Sequence, residues 1–307
     1  MKSNLVFTFF KRAVFGVFLV VNGTFAASLS DSVRLLPMSF FLTQEAAYQP
    51  DFALQKGVES EFEPTIGSLY HTSSLKNGVK FRAQFSELGG RGGFEWFEYA
   101  ASAVFSNARV KFNDGVEEEA RLAGGALGGG VRGQGGEFFG VRVFGAKSSL
   151  KLENHAANGK LSQEFFGVLA GVSKRFEIAH DRDTTLFLQG FYIRGGEADL
   201  QTSQGVVKVG KSHNVKTEFG VKLRKDLTPN WQSFWRFGGE YNFGFEANSV
   251  LTNAVTREFS EEFSGFSYLA KLGFAYRKNG VSFGVSAEFV EGKRRAANIA
   301  TSVGVGF

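Results

Sequence analysis

From about residue 64 to the end, the chain alternates. Phe266, Tyr268, Ala270, Leu272, Phe274 and Tyr276 take one side of a period-two pattern. Ser267, Lys271, Gly273 and Ala275 take the other, with Leu269 the exception. Trp231, Trp235, Phe237, Tyr241, Phe243 and Phe245 alternate with Gln232, Arg236, Gly238, Glu240, Asn242 and Gly244. The chain ends the same way: Ala297, Ile299, Thr301, Val303, Val305 and Phe307 against Asn298, Ala300, Ser302, Gly304 and Gly306. Successive side chains on a strand point to opposite faces, so each run predicts a strand with one apolar and one small or polar face. Applied throughout, the pattern predicts strands over 78–88, 94–106, 118–132, 137–149, 164–178, 184–195, 214–225, 231–246, 264–277, 281–290 and 295–307.

The connections alternate too. Those at 89–93, 132–136, 179–183, 226–230 and 277–280 are short, and Asn279-Gly280 is a tight-hairpin signal. Those near 107–117, 150–163, 196–213 and 247–263 read as long loops, with 291–295 intermediate. Eleven strands call for a twelfth, because bacterial barrels usually close on an even number. The candidates are 64–75 and 33–43. The nearer is preferred, since Pro37 interrupts the farther one.

The polar face carries too many charges for a protein core, and the apolar face too many rings for water. In a bilayer a sheet satisfies its backbone only as a closed barrel, with apolar residues outward and polar residues inward. The fold predicted is all-β: a transmembrane antiparallel up-and-down β-barrel of twelve strands. The lumen-facing charges are then Lys80, Arg82, Arg142, Arg175, Glu177, Lys216, Glu218, Lys222, Arg236, Glu240, Lys271 and Glu288. They read as a salt-bridged lumen, or as a pore lining with a mild anion preference.

Composition and the front of the chain fit this picture. Residues 1–26 have a basic start (Lys2, Lys11, Arg12), an apolar core from Ala13 to Val21 and small residues before the expected cut, as a secretory signal does. Gly 39 and Phe 36 are high, Pro 4 and Met 2 are low, and no later apolar stretch is long enough for a helical bundle. There is no cysteine, hence no disulfide framework or thiol chemistry. The formal charge of +5 is concentrated in the leader, which holds three cations and no acid, so the remainder lacks a nucleic-acid signature. Residues 27–63 form a leftover segment ahead of the barrel, and a twelve-strand lumen has room for it.

Residues 64–307 resemble the β-domain of autotransporters, the type V secretion translocators. The resemblance lies in the strand count, the segment before the first strand, and the rhythm of the last three strands, GFSYLAKLGFAYRKNGVSFGVSAEFVEGKRRAANIATSVGVGF. It implies that Phe307, with Val305, Val303 and Ile299 on the same face, acts as the signal read by the outer-membrane assembly machinery. The partners implied are the outer-membrane bilayer, its lipopolysaccharide and that machinery, around a monomeric barrel. Some 35 residues separate the leader from the first strand, so a sizeable passenger is not expected.

Other chemistry is weakly signalled. His71, His155, His180 and His213 have no metal-ligand spacing and read as solvated loop histidines. GGALGGGVRGQGG (124–136) mimics a phosphate loop but lacks the Lys-Ser/Thr ending, and close packing of the wall explains it better. Catalytic, metal and cofactor sites are not expected. Lys293, Arg294 and Arg295 form a basic cluster in an outer loop, read either as a contact for lipopolysaccharide or as a simply solvated loop. Three functions fit: a translocator-like barrel with residues 29–63 in its lumen, a porin-like channel, and an adhesion barrel acting through its loops.

Overall fold

Alternation becomes strand along almost all of the computed structural model, which describes residues 63–75, 79–111, 117–154, 157–202, 205–252 and 256–306. The leader 1–26, the segment 27–62, the alternative strand 33–43 and Phe307 lie outside the described residues. The strands are β1 (Glu63–Leu75), β2 (Lys80–Gly93), β3 (Phe97–Lys111), β4 (Glu117–Arg132), β5 (Glu137–Asn154), β6 (Ala157–Ala179), β7 (Arg182–Gly195), β8 (Ala198–Thr202), β9 (Gly205–Asp226), β10 (Trp231–Thr252), β11 (Thr256–Lys278), β12 (Val281–Gly292) and β13 (Arg294–Val305). No described helix is long and apolar enough to cross a membrane.

The sheet closes on itself. Neighbours pair antiparallel in sequence order, and β13 returns to β1, with Val303 opposite Ile66 and Arg294 opposite Leu75. The short β8 continues the line of β7: β7 covers β9 from Lys225 to Ser212, and β8 covers it from Val209 to Gly205. β7 and β8 therefore share one wall position, and the barrel has twelve. The first of them is the nearer candidate, 64–75. The tight turn 279–280 is as expected, with φ of 51° at Asn279 and 78° at Gly280, both in the left-handed region that hairpin turns use.

The outer loops differ from expectation. Most of the stretches 107–117, 150–163, 196–213 and 247–263 are strand. β6 and β11 run 23 residues each, and β9 and β10 run 22. A membrane crossing needs about 9–11, so these hairpins stand well clear of the bilayer on the side opposite the short turns. The sequence conceals this because polarity inverts along each tall strand. On β5 the outward residues are Phe139, Val141 and Val143, then Gly145, Lys147, Ser149 and Lys151. Its inward residues run Gly140 and Arg142, then Phe144, Ala146, Ser148 and Leu150. Within the bilayer the apolar face is outside; above it, water lies outside and the apolar face turns in.

Two expectations are corrected by that inversion. Lys80 and Arg82 are exposed on the outer wall, while Phe81, Ala83 and Phe85 between and beyond them are buried inside. They lie in the upper half of their strand, above the bilayer, where apolar means inward. Phe245 is also buried inside rather than sharing the outer face of Trp231 and Phe237. A register shift between Asn242 and Phe245 in the β10–β11 pairing adds a residue there and reverses the parity beyond it.

Around the lower wall the outward belt is apolar and aromatic: Leu127, Val172, Leu186, Leu188, Phe219, Trp235, Phe237, Phe274, Phe283 and Ile299 are all well exposed. Tyr70, Tyr192, Tyr241 and Tyr268 are exposed further up their strands. Such a belt is unfavourable in water and matches a bilayer core edged by interfacial rings.

Candidate functional site

The chemistry of this barrel lies in its lumen, which is divided into three layers. At the end with the short turns is an open cavity of about 1380 Å³. Glu63 stands at its rim, where the chain enters the wall. Its carboxylate accepts hydrogen bonds from Arg91 at 3.0 and 3.1 Å, from Arg277 at 3.1 Å and from Ser282 at 2.5 Å. It is only 1% exposed. Arg132 pairs with Glu98, and Asp183 takes Arg175 at 2.9 Å and Arg224 at 2.7 Å. This vestibule is ionic but well compensated.

Its floor, near mid-wall, is a denser charge layer. Glu218 accepts from Arg236 at 2.7 Å and Gln189 at 2.6 Å, and lies 2.9 Å from Lys216. Lys216 reaches Glu240 at 3.5 Å, and Arg294 grips the same carboxylate with two bonds of 3.0 and 2.7 Å. Arg142 donates to Glu87 and Ser102, each at 3.1 Å. A polar chain crosses the β1–β13 closure: His71 Nδ1 lies 2.5 Å from Asn298 Oδ1, and Asn298 Nδ2 donates to Glu288 at 2.7 Å. Since Oδ1 only accepts, the imidazole carries its proton on Nδ1. Arg236 and Lys216 also sit over the rings of Phe187 and Phe191, at 4.3 and 4.7 Å.

Above the charges the lumen is apolar. Val79, Phe81, Phe85, Val104, Val110, Leu122, Phe144, Leu150, Leu161, Phe165, Ile193, Leu200, Val207, Val209 and Phe245 form one buried cluster drawn from β2 through β10. Phe81, Leu150 and Leu161 have no exposed surface. These side chains point inward and are buried, so among the described residues an apolar layer lies above the vestibule.

Of the expected lumen charges, Arg142, Lys216, Glu218, Lys222, Arg236, Glu240, Lys271 and Glu288 point inward, and Arg175 and Glu177 stand at the mouth. Lys80 and Arg82 do not belong to the lumen. Glu63, Glu87, Arg91, Asp183, Arg224, Arg277 and Arg294 were missed. Glu63 and Arg294 each lie one residue outside an expected strand, and strand parity extended by that residue finds both. The cluster 293–295 is accordingly divided: Arg294 is 1% exposed inside, while Arg295 pairs outside with Glu291. Of the histidines, His71 is buried in the wall rather than solvated, and His155 lies outside the described residues. His180 is exposed in a turn, and exposed His213 lies 3.9 Å from Glu246. The glycines of 124–136 face close neighbours; a Cβ on Gly130 would meet the Phe138 ring at 2.3 Å. Ile299, Val303 and Val305 face outward in the belt.

No protein-family model matches the chain, and no curated protein sequence matches it. Solved structures do. The translocator domain of autotransporter NalP from Neisseria meningitidis superposes with a TM-score of 0.68 at 12% identity, over 88% of this chain and 96% of that one. This is the fold of an autotransporter translocator domain. The transport unit of AIDA-I from Escherichia coli gives 0.63 at 13% identity, covering 88% and 98%. The β-domain of the Bordetella autotransporter BrkA gives 0.58 at 13% identity, covering 80% and 100%. At such identities the translocator likeness is one of fold, and function has to be argued from the lumen.

Proposed function

We propose that this chain is an integral outer-membrane barrel of the translocator type, held closed toward the outside in its resting state. The observation that carries this is the apolar closure stacked on a charged vestibule that opens at the turn end. The turn end is the periplasmic side in barrels with short turns on one edge and long hairpins on the other. Residues 1–26 export the chain, and the assembly machinery inserts it as a monomer into a bilayer containing lipopolysaccharide. Phe307, Val305, Val303 and Ile299 form the insertion signal. Glu63 anchors the start of the wall at the vestibule mouth through Arg91 and Arg277. No catalytic, metal or cofactor role is assigned. A porin-like function is less favoured, because a cluster of buried apolar side chains lies in the path a solute would take.

Conductance in planar bilayers tests the closure. The native chain, and a version lacking residues 29–62, should both be silent or nearly so. Replacing Phe81, Phe85 and Phe245 together by serine should produce steady currents. Open currents from the native chain would make this a diffusion pore and defeat the reading. Insertion has its own test: deleting Phe307 should lower the amount of heat-modifiable folded barrel in the outer membrane, and unchanged levels would remove the signal assignment.

A further inference from the structure

Just above the apolar belt, the outer wall of β2–β5 carries a cationic patch that the translocator fold does not require. Arg82 on β2 stands directly opposite Arg109 on β3, and Lys80 opposite Lys111. Arg121 on β4 lies opposite Asn107 on one side and Ser149 on the other, and Lys147 on β5 lies opposite Ala123. All six cations are exposed and point outward. Three carboxylate positions interrupt them: Glu119 opposite Arg109, Glu117 opposite Lys111, and Glu164, 4.0 Å from Lys147. Like charges directly opposite each other on a sheet repel.

The rest of the rim is arranged differently. There several cations pair with carboxylates: Lys211 is 3.6 Å from Glu197, His213 is 3.9 Å from Glu246, and Arg295 is 2.9 Å from Glu291, while Arg194 stands opposite His213. The β2–β5 patch is therefore a local excess. Its depth identifies what it meets. Phe105, Leu127 and Val143 on the same strands are exposed and apolar, and the cations begin four to six residues beyond them, at the level of lipid headgroups. It is wide, crossing four strands spaced about 4.8 Å apart, and it is a wall rather than a pocket.

We propose that this patch binds the phosphate groups of a phosphorylated glycolipid, the lipopolysaccharide of the outer leaflet, and so fixes the rotational setting of the barrel in that leaflet. The proposal rests on the outer-membrane reading above. The guanidinium groups supply paired donors to phosphate oxygens, and a bound phosphate relieves the Arg82–Arg109 opposition. Lys80 and Arg82 thus act outside the barrel.

The test refolds the full chain into liposomes containing lipopolysaccharide, extracts it gently, and measures the lipopolysaccharide retained per barrel by mass spectrometry. The triple variant Arg82→Gln, Arg109→Gln, Arg121→Gln should retain roughly tenfold less than the native chain, while remaining heat-modifiable. Lysine at the same three positions should restore most of the retention. Lys208→Gln with Lys211→Gln, on β9, should change nothing. Equal retention by the triple glutamine variant overturns the site. Undiminished retention of dephosphorylated lipid overturns the phosphate assignment. Displacement by inorganic phosphate at millimolar concentration shows a free-anion site and overturns the lipid source. Flotation with the liposomes reads the membrane assignment separately: a chain that fails to float loses that assignment, and the lipid site with it.

Discussion

Single residues in the lumen are held by partners that water cannot replace. Arg294 and Glu240 form a buried bidentate pair, with Lys216 on the same carboxylate. Removing one member of a buried pair leaves the other charge uncompensated, which costs about 3–5 kcal/mol. Glu240→Ala should therefore lower the midpoint of heat-induced unfolding markedly, whereas Arg295→Ala, which breaks an exposed pair with Glu291, should change it little. Equal effects would mean that the mid-wall layer is solvated. His71 is a milder case. Asn298→Ala removes the acceptor of its Nδ1–H and the donor to Glu288, and an unsatisfied buried group costs about 1–3 kcal/mol. A urea midpoint unchanged by Asn298→Ala would show that this chain across the β1–β13 closure is not structural.

Strands show where sequence reasoning carried and where it stopped. Within the membrane, lipid lies on one side and a polar lumen on the other, so period-two alternation has one sense and β12, β13 and the lower part of β11 are legible to within two residues. Above the membrane the same period persists with its sense reversed. Lys80, Phe81 and Arg82 alternate as cleanly as Trp235, Arg236 and Phe237 do, yet in the first the polar residues face out and in the second the apolar ones do. Period alone gives the strand, and which side is wet gives the facing. The bulge in β10 is a second limit, because nothing between Asn242 and Phe245 distinguishes an inserted residue from an ordinary alternation. Removing Gly244 should cancel that insertion and turn Phe245 outward. The expected result is a less stable barrel that exposes apolar surface, read as increased binding of a hydrophobic dye. Unchanged dye binding would show that the bulge does not set the facing of the upper strand.

The molecule as a whole combines two environments in one wall. Its lower part is a membrane barrel with a charged, water-accessible lumen, and its upper part is an apolar-cored β-structure in water, made from the same strands. Neither part is complete alone: the lower barrel lacks a lid, and the tall hairpins lack a base. The upper core is where the closure is made. Phe81→Ala should destabilise the folded barrel by about 3–5 kcal/mol, without altering its insertion, because that side chain faces neither lipid nor the last strand. A loss of insertion with normal stability of the surviving barrel would contradict this division of roles.

The most direct test of a divided lumen uses the absence of native cysteine. Ser286 on β12 lines the vestibule, and Ser286→Cys places the only thiol of the chain there. In intact cells a membrane-impermeant maleimide too large for the general porins, added from outside, should leave that thiol unlabelled; after the periplasm is opened, it should label readily. Labelling from outside at the same rate would mean that the lumen is continuous, and the account of a barrel closed by its own upper strands would fail.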